Sequence, residues 1–156
     1  EWERLMKSSC SFALLLLMLG ACTTTPERSV QPLSGTSWQL VAIESMDDAQ
    51  GTTKIAGPQR YTLSFGADGR AAFRIDCNRG TGSWQATPAA RDSGSLTFGP
   101  IATTRMTCPP GSHDQKMMRE LPYVRSYLLK DGRLFMSLMA DGGIYVWLPY
   151  SRAEEK

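Results

Sequence analysis

The clearest pattern in the chain is strict alternation between residues 61 and 77. Tyr61, Leu63 and Phe65 stand at every second position, Gly66-Ala67-Asp68-Gly69 interrupts, and Ala71, Phe73, Ile75 and Cys77 resume the alternation. Successive side chains of a strand point to opposite faces, so the stretch predicts a β-hairpin with one buried and one wet face. "SWQLVAI" predicts a strand before it, built on Trp38, Leu40 and Val41. Trp84, after Gly80 and Gly82, starts another; "TPAARDSG" reads as a polar loop. In "SLTFGPIA", Leu96 and Phe98 alternate until Gly99-Pro100 breaks the strand. The tail is a meander. "YVRSYLL" turns through Lys130-Asp131-Gly132-Arg133 into "LFMSLM", and Ala140-Asp141-Gly142-Gly143 leads into "IYVWLPY". Leu134, Met136 and Leu138 form one apolar face; Ile144, Val146 and Leu148 form another, which leaves Tyr145 and Trp147 for a helix or a partner to cover.

One helix is predicted. Ser112-His113-Asp114-Gln115 has the form of a capping box, Met117, Met118 and Leu121 give an apolar stripe, and Pro122 limits it. Many short strands with one inserted helix predict a mostly β domain: a small antiparallel β-barrel-like, lipocalin-like fold.

The first quarter has a different character. Phe12 to Leu19, closing on Gly20 and Ala21, gives about ten apolar residues, half of what a membrane-spanning helix needs. With Lys7 and Arg4 ahead of it and small residues at its end, it reads as a secretory signal peptide over 1–21, with Met6 the expected start. Leu19-Gly20-Ala21-Cys22 resembles the bacterial lipobox, which implies lipidation of Cys22 and an N-terminal lipid anchor in the membrane. Thr23, rather than Asp, after that cysteine points to the outer membrane, facing the periplasm. Residues 22–33, with Thr, Pro and Ser, suit a flexible tether. The domain follows over 34–150, and 151–156 form a polar tail.

Composition then narrows the choices. The formal net charge is +2 with no basic tract, so nothing argues for nucleic acid. About 120 residues beyond the tether suffice for one domain with its own core, expected as a monomer. Of four cysteines, Cys10 leaves with the signal and Cys22 is lipidated, which leaves Cys77 and Cys108. In an oxidising compartment these read as a disulfide, worth roughly 3 to 4 kcal/mol by chain entropy. A redox-active or metal-binding pair is the alternative, although the spacing is unlike C-x-x-C and no histidine cluster accompanies it. The single histidine, His113, falls in the helix cap with no paired nucleophile. No nucleophile elbow or phosphate-cradling glycine loop frames a catalytic centre. Neither a metal nor another cofactor is expected.

Several segments together resemble the META domain family, typified by HslJ-type heat-inducible bacterial lipoproteins. "LSGTSWQLVAI" is similar to its opening L-x-G-t-W-x-L. "YTLSFGADGRAAFRIDCNRGTGSW" is similar to its hairpin ending in G-C-N-x-x-x-G-x-Y, and "LTFGPIATTRMTCP" to f-x-x-i-a-s-T-r-M-a-C. Asp76 stands where the pattern has glycine and Trp84 where it has tyrosine. An Asp there predicts either that positive φ is not needed or that its carboxylate caps the turn through the Asn78 or Arg79 backbone N–H. The resemblance implies a barrel-like fold, envelope stress response and novobiocin-type antibiotic tolerance, with no reaction attached.

A Cys77–Cys108 bridge would join Asp76-Cys77-Asn78-Arg79 to Thr104-Arg105-Met106-Thr107-Cys108. Arg79 and Arg105 would then lie close, with Asp76 as counter-charge. That corner is either a recognition patch for an anionic or polar ligand or a hydrogen-bonded structural corner. The function expected is a non-enzymatic outer-membrane lipoprotein acting by binding to an envelope protein or lipid. Two alternatives are a carrier of an apolar ligand inside the barrel and an enzyme using a free thiol.

Overall fold

The structure, a computed structural model, describes residues 31–151. The expected signal peptide, Cys22, most of the tether and residues 152–156 of the tail lie outside the described residues.

The strands are β1 (Ser37–Glu44), β2 (Thr52–Lys54), β3 (Tyr61–Phe65), β4 (Arg70–Ile75), β5 (Asn78–Ala90), β6 (Ser93–Phe98), β7 (Ala102–Thr103), β8 (Val124–Lys130), β9 (Arg133–Leu138) and β10 (Ile144–Pro149). All pairings are antiparallel. Eight strands close a barrel in the order β1-β3-β4-β5-β6-β8-β9-β10, with β10 returning to β1. The short β2 and β7 are additions to β1 and β5. Closure removes the open sheet edges that would otherwise template pairing with other chains.

The alternating hairpin forms as its sequence dictates. Tyr61, Leu63, Phe65, Ala71, Phe73 and Ile75 all point inward and are buried. Cys77 leaves the pattern because Asp76-Cys77 is a two-residue turn, with Ile75 paired to Asn78 across it. β5 is longer than its sequence suggests. Asn78, Gly80, Gly82, Trp84 and Ala86 alternate inward, but two glycines and an asparagine hide that period from a hydrophobicity count. Thr87 to Ala90, read as loop, continue the strand against β6. The Asp131-Gly132 turn between β8 and β9 has positive φ at both residues, 51° and 70°, the type I′ geometry that suits the twist of a tight hairpin.

β10 reverses the sequence expectation. Tyr145 and Trp147 are the inward residues, both 0% exposed, while Ile144 and Leu148 are half-buried. The register gives the reason. Trp147 pairs with Leu40 of β1 and Leu134 of β9, and Tyr145 pairs with Met136, all of them core positions. Directly paired residues share a face, so the neighbours decide which of two apolar faces turns inward.

The interior is filled by side chains. Trp147, Tyr61, Tyr127, Tyr145, Phe65, Leu40 and Leu63 are its largest fully buried members. Phe65 meets Trp84, and Phe73 meets Phe98, edge to face, an arrangement that adds about 0.5 to 1.5 kcal/mol per pair beyond area burial.

Each end of the barrel is closed differently. At the end where β1 starts, Leu33 is fully buried, and Gly35 and Thr36 exchange backbone bonds with Phe65. Leu33, assigned to the tether from sequence, is therefore part of the packed domain. At the opposite end, residues between β6 and β8 form a plug. It consists of β7, a helix α1 (Asp114–Glu120) and a 3-10 turn (Leu121–Tyr123), with Met117 and Leu121 fully buried beneath it. The helix starts later than the capping box implies. His113 is its N-cap, and the Ser112 hydroxyl accepts the Asp114 N–H at 3.2 Å instead of reaching the third residue. Tyr145 ties the helix to the barrel: its hydroxyl donates to Glu120 Oε2 at 2.6 Å, and Lys116 Nζ holds the other oxygen at 2.7 Å.

Candidate functional site

The plug meets the barrel wall at the β4–β5 turn, where the motif residues collect. Cys77 and Cys108, at a sequence separation of 31, form a disulfide with 5.5 Å between Cα atoms. A bridged pair leaves no free thiol among the described cysteines.

Beside the bridge, Asn78 is 0% exposed and uses its whole amide. Its Oδ1 accepts the Met106 N–H at 2.7 Å and the Thr104 hydroxyl at 2.9 Å. The two N–H of its Nδ2 are shared among the Met106 carbonyl at 3.0 Å, Asp114 Oδ2 at 3.3 Å and Cys108 Sγ at 3.3 Å. The Thr104 hydroxyl also accepts the Arg79 N–H at 3.0 Å, and the Thr104 N–H donates to the Arg79 carbonyl at 2.9 Å. One buried asparagine thus satisfies the Met106 backbone of the plug loop and reaches the side chains of Thr104, Cys108 and Asp114 at once. A buried amide left unpaired costs roughly 1 to 3 kcal/mol, so such a network is retained only if complete.

Asp76 departs from both readings of its sequence position. Its φ is 57°, so the turn needs positive φ and an aspartate supplies it. Asp is one of the few residues besides Gly and Asn that enter this region at modest cost. Its carboxylate does not cap the turn. Arg60 Nη1 donates to Oδ1 at 3.0 Å, and the Tyr61 hydroxyl donates to Oδ2 at 3.4 Å. The counter-charge of Asp76 is therefore Arg60, from the 3-10 turn Pro58–Arg60 before β3, and not Arg79 or Arg105. The Tyr61 hydroxyl also accepts the His113 N–H at 3.0 Å, which links Asp76 to the start of α1. His113 contributes its backbone and a tilted ring contact with Tyr61, 6.1 Å between centroids.

Gly80 and Gly82 have a steric reason. A Cβ at Gly80 would stand 3.0 Å from Thr103 Cγ2, and one at Gly82 would stand 3.2 Å from both Ile101 Cγ1 and the Pro100 carbonyl oxygen. The close approach of the plug strand β7 to β5 is eased by the lack of side chains at these positions.

Between the 101–107 segment and α1 lies a cleft of about 460 Å³. Its lining mixes apolar Ile101, Met118, Leu121 and Pro122 with polar Thr103, Thr107 and Gln115, and the lining residues Arg105, Met106 and Arg119 are exposed. Asp114, 93% buried and bonded to Asn78, belongs to its inner wall. Arg105, picked out from sequence, lines the cleft; Asp76, Asn78, Arg79 and Thr104 form the corner behind it. Arg119, Asp114 and Met118 were not legible as site residues, because Met118 reads as part of the helix's core stripe, Asp114 as part of its cap, and Arg119 as an ordinary exposed helix residue. Among the described residues, no group of three or more His, Cys, Asp or Glu side chains could hold a metal ion. No helix of the described residues is long and apolar enough to cross a membrane.

The family model described as META domain matches residues 31–148. Two solved structures share the fold. One is the NMR structure of a protein from Burkholderia xenovorans, 23% identical with a TM-score of 0.61, covering 77% of this chain and 85% of that one. The other is the crystal structure of a DUF4847 family protein from Bacteroides vulgatus, 14% identical with a TM-score of 0.54, covering 75% and 94%. No curated protein matches the chain.

Proposed function

Since the chain belongs to the META domain family, we propose that it is a non-enzymatic envelope lipoprotein, anchored through Cys22 in the outer membrane and acting by binding. The observation that carries this reading is the family match over 31–148 directly behind the lipobox-like Leu19-Gly20-Ala21-Cys22. The filled barrel supports binding on the outside of the domain: a carrier with its ligand inside would need room that Trp147, Tyr145 and Tyr61 occupy. The disulfide fits an oxidising compartment and argues against thiol chemistry at Cys77 or Cys108. The physiological role is support of the envelope under stress, including tolerance of novobiocin-type antibiotics.

The test is metabolic labelling with an alkyne analogue of palmitate in a Gram-negative host, followed by membrane fractionation. Label on the wild-type protein in the outer membrane, absent from Cys22→Ser, is expected. Label retained in Cys22→Ser, or an unlabelled soluble protein, contradicts the anchor. Growth of a deletion strain on heat and novobiocin reads the physiological role separately.

A further inference from the structure

We propose that the cleft between α1 and residues 101–107 binds a small anionic amphiphile, an alkyl chain ending in a carboxylate or phosphate. Arg105 and Arg119 hold the charged end, and Ile101, Met118 and Pro122 lie against the chain. The proposal rests on the reading of the domain as a binding module and names the ligand class of its cleft.

Three observations carry it. The first is size and surface: a cleft of about 460 Å³ lies within the range of small-ligand sites, is open to solvent, and sets an apolar strip of Ile101, Met118 and Pro122 beside polar Thr103, Thr107 and Gln115. The second is charge. Arg105 and Arg119 are exposed at the cleft and have no carboxylate partner among the described residues, whereas Arg60 is paired with Asp76 and Arg125 is bonded to the Pro122 and Val124 carbonyls. Two unpaired guanidiniums beside the apolar strip of Ile101, Met118 and Pro122 complement an anion with an apolar body. The third is orientation. Asp114, on the inner wall and turned towards Asn78, repels an anionic group placed deep and so favours the charged end at the open side. Met106 and Met118 add polarizable side chains that adapt to a flexible chain.

The test is methyl-detected NMR of the purified protein, titrated below micelle formation with decanoate, decyl phosphate, decyltrimethylammonium and the peptide acid acetyl-Leu-Leu-Phe. Saturable shifts at the Ile101, Met106 and Met118 methyls are expected with decanoate or decyl phosphate, and the tighter of the two identifies the head group. Binding should weaken at least tenfold in the Arg105→Gln/Arg119→Gln double variant and stay unchanged in Arg133→Gln, at the far end of the barrel. Both cleft arginines are exposed and unpaired, so the double variant should melt like the wild type. Any of four results overturns the proposal: no saturable shift, equal binding of the cationic amphiphile, undiminished binding by the double variant, or tighter binding of the peptide acid. Failure here leaves lipid labelling at Cys22 untouched, and failure of that labelling leaves this titration untouched.

Discussion

The side-chain amide of Asn78 pairs with both backbone polar groups of Met106, accepting its N–H at 2.7 Å and donating to its carbonyl at 3.0 Å. An amide side chain has the same donor and acceptor as a peptide group, so Asn78 acts as one extra rung of β-ladder. It holds a loop that is otherwise outside any strand. The disulfide one residue earlier fastens the same loop covalently.

Asn78→Ala should destabilise the fold by about 2 to 4 kcal/mol, since it deletes several buried hydrogen bonds. Asn78→Asp should be worse at neutral pH. It removes the donor and sets a second carboxylate against Asp114, whose Oδ2 is 3.3 Å from Nδ2. The gap between the two variants should close on acidification, as the new carboxyl takes up a proton. Urea denaturation at neutral and acidic pH measures both; an Asp variant as stable as wild type would remove Asn78 from its central place.

Asp76 carries two opposing effects. Asp76→Gly loses the Arg60 ion pair and the Tyr61 hydrogen bond but relaxes a backbone held at φ 57°, so its net loss should be smaller than those two bonds alone would give. Asp76→Ala loses the pair and keeps the strain, so it should be about 1 kcal/mol less stable than the glycine variant. Equal melting of the two would show that the left-handed conformation costs nothing here.

The sequence carried the fold further than the site. The 61–75 hairpin and the Leu134-Met136-Leu138 face were legible because each alternates large apolar with polar residues, and tertiary structure had only to choose the inward side. β10 was legible as a strand but not in its facing. Ile144, Val146 and Leu148 are as apolar as Tyr145 and Trp147, and only pairing with Leu40, Leu134 and Met136 decides between them. The Cys77–Cys108 pair could be counted from sequence, and Asn78, Thr104 and Arg105 were marked by the motif. The ion pair of Asp76 with Arg60 was hidden, because it joins residues across a hairpin whose ends only the register brings together.

Inside the barrel the Tyr127 hydroxyl and the Trp147 indole N–H are buried with no hydrogen-bond partner. Burial, and then the nearby charge of Asp92, hold the Tyr127 phenol above its ordinary pKa. Tyr127→Phe removes an unsatisfied group while keeping the ring, so it should leave the melting temperature unchanged or raise stability by up to about 1 kcal/mol. A loss larger than that would reveal a partner for the hydroxyl, such as an ordered water in the barrel.

Tyr145 gives a pH dependence. Burial, then the hydrogen bond to Glu120 and its negative charge, push its phenol well above the ordinary value of 10.0. The native state thus keeps a proton that the unfolded chain sheds once pH passes that value. The contribution to stability is intact below it and falls as pH rises beyond it. Thermal melts across the alkaline range should show a shallower decline for Tyr145→Phe than for the wild type. Parallel declines would mean that the phenol titrates alike in both states.

The most direct test of the clamp between plug and barrel is native-state hydrogen exchange at the Met106 amide. Met106 is 61% exposed and belongs to no strand, yet its N–H ends on buried Asn78 Oδ1. If Asn78 pins the plug, this amide should exchange as slowly as those of the central barrel strands. It should become fast in Asn78→Ala, with β3 and β4 still protected. Fast exchange at Met106 in the wild-type protein would contradict the account, for the plug would then open independently of the barrel that Asn78 is argued to hold it against.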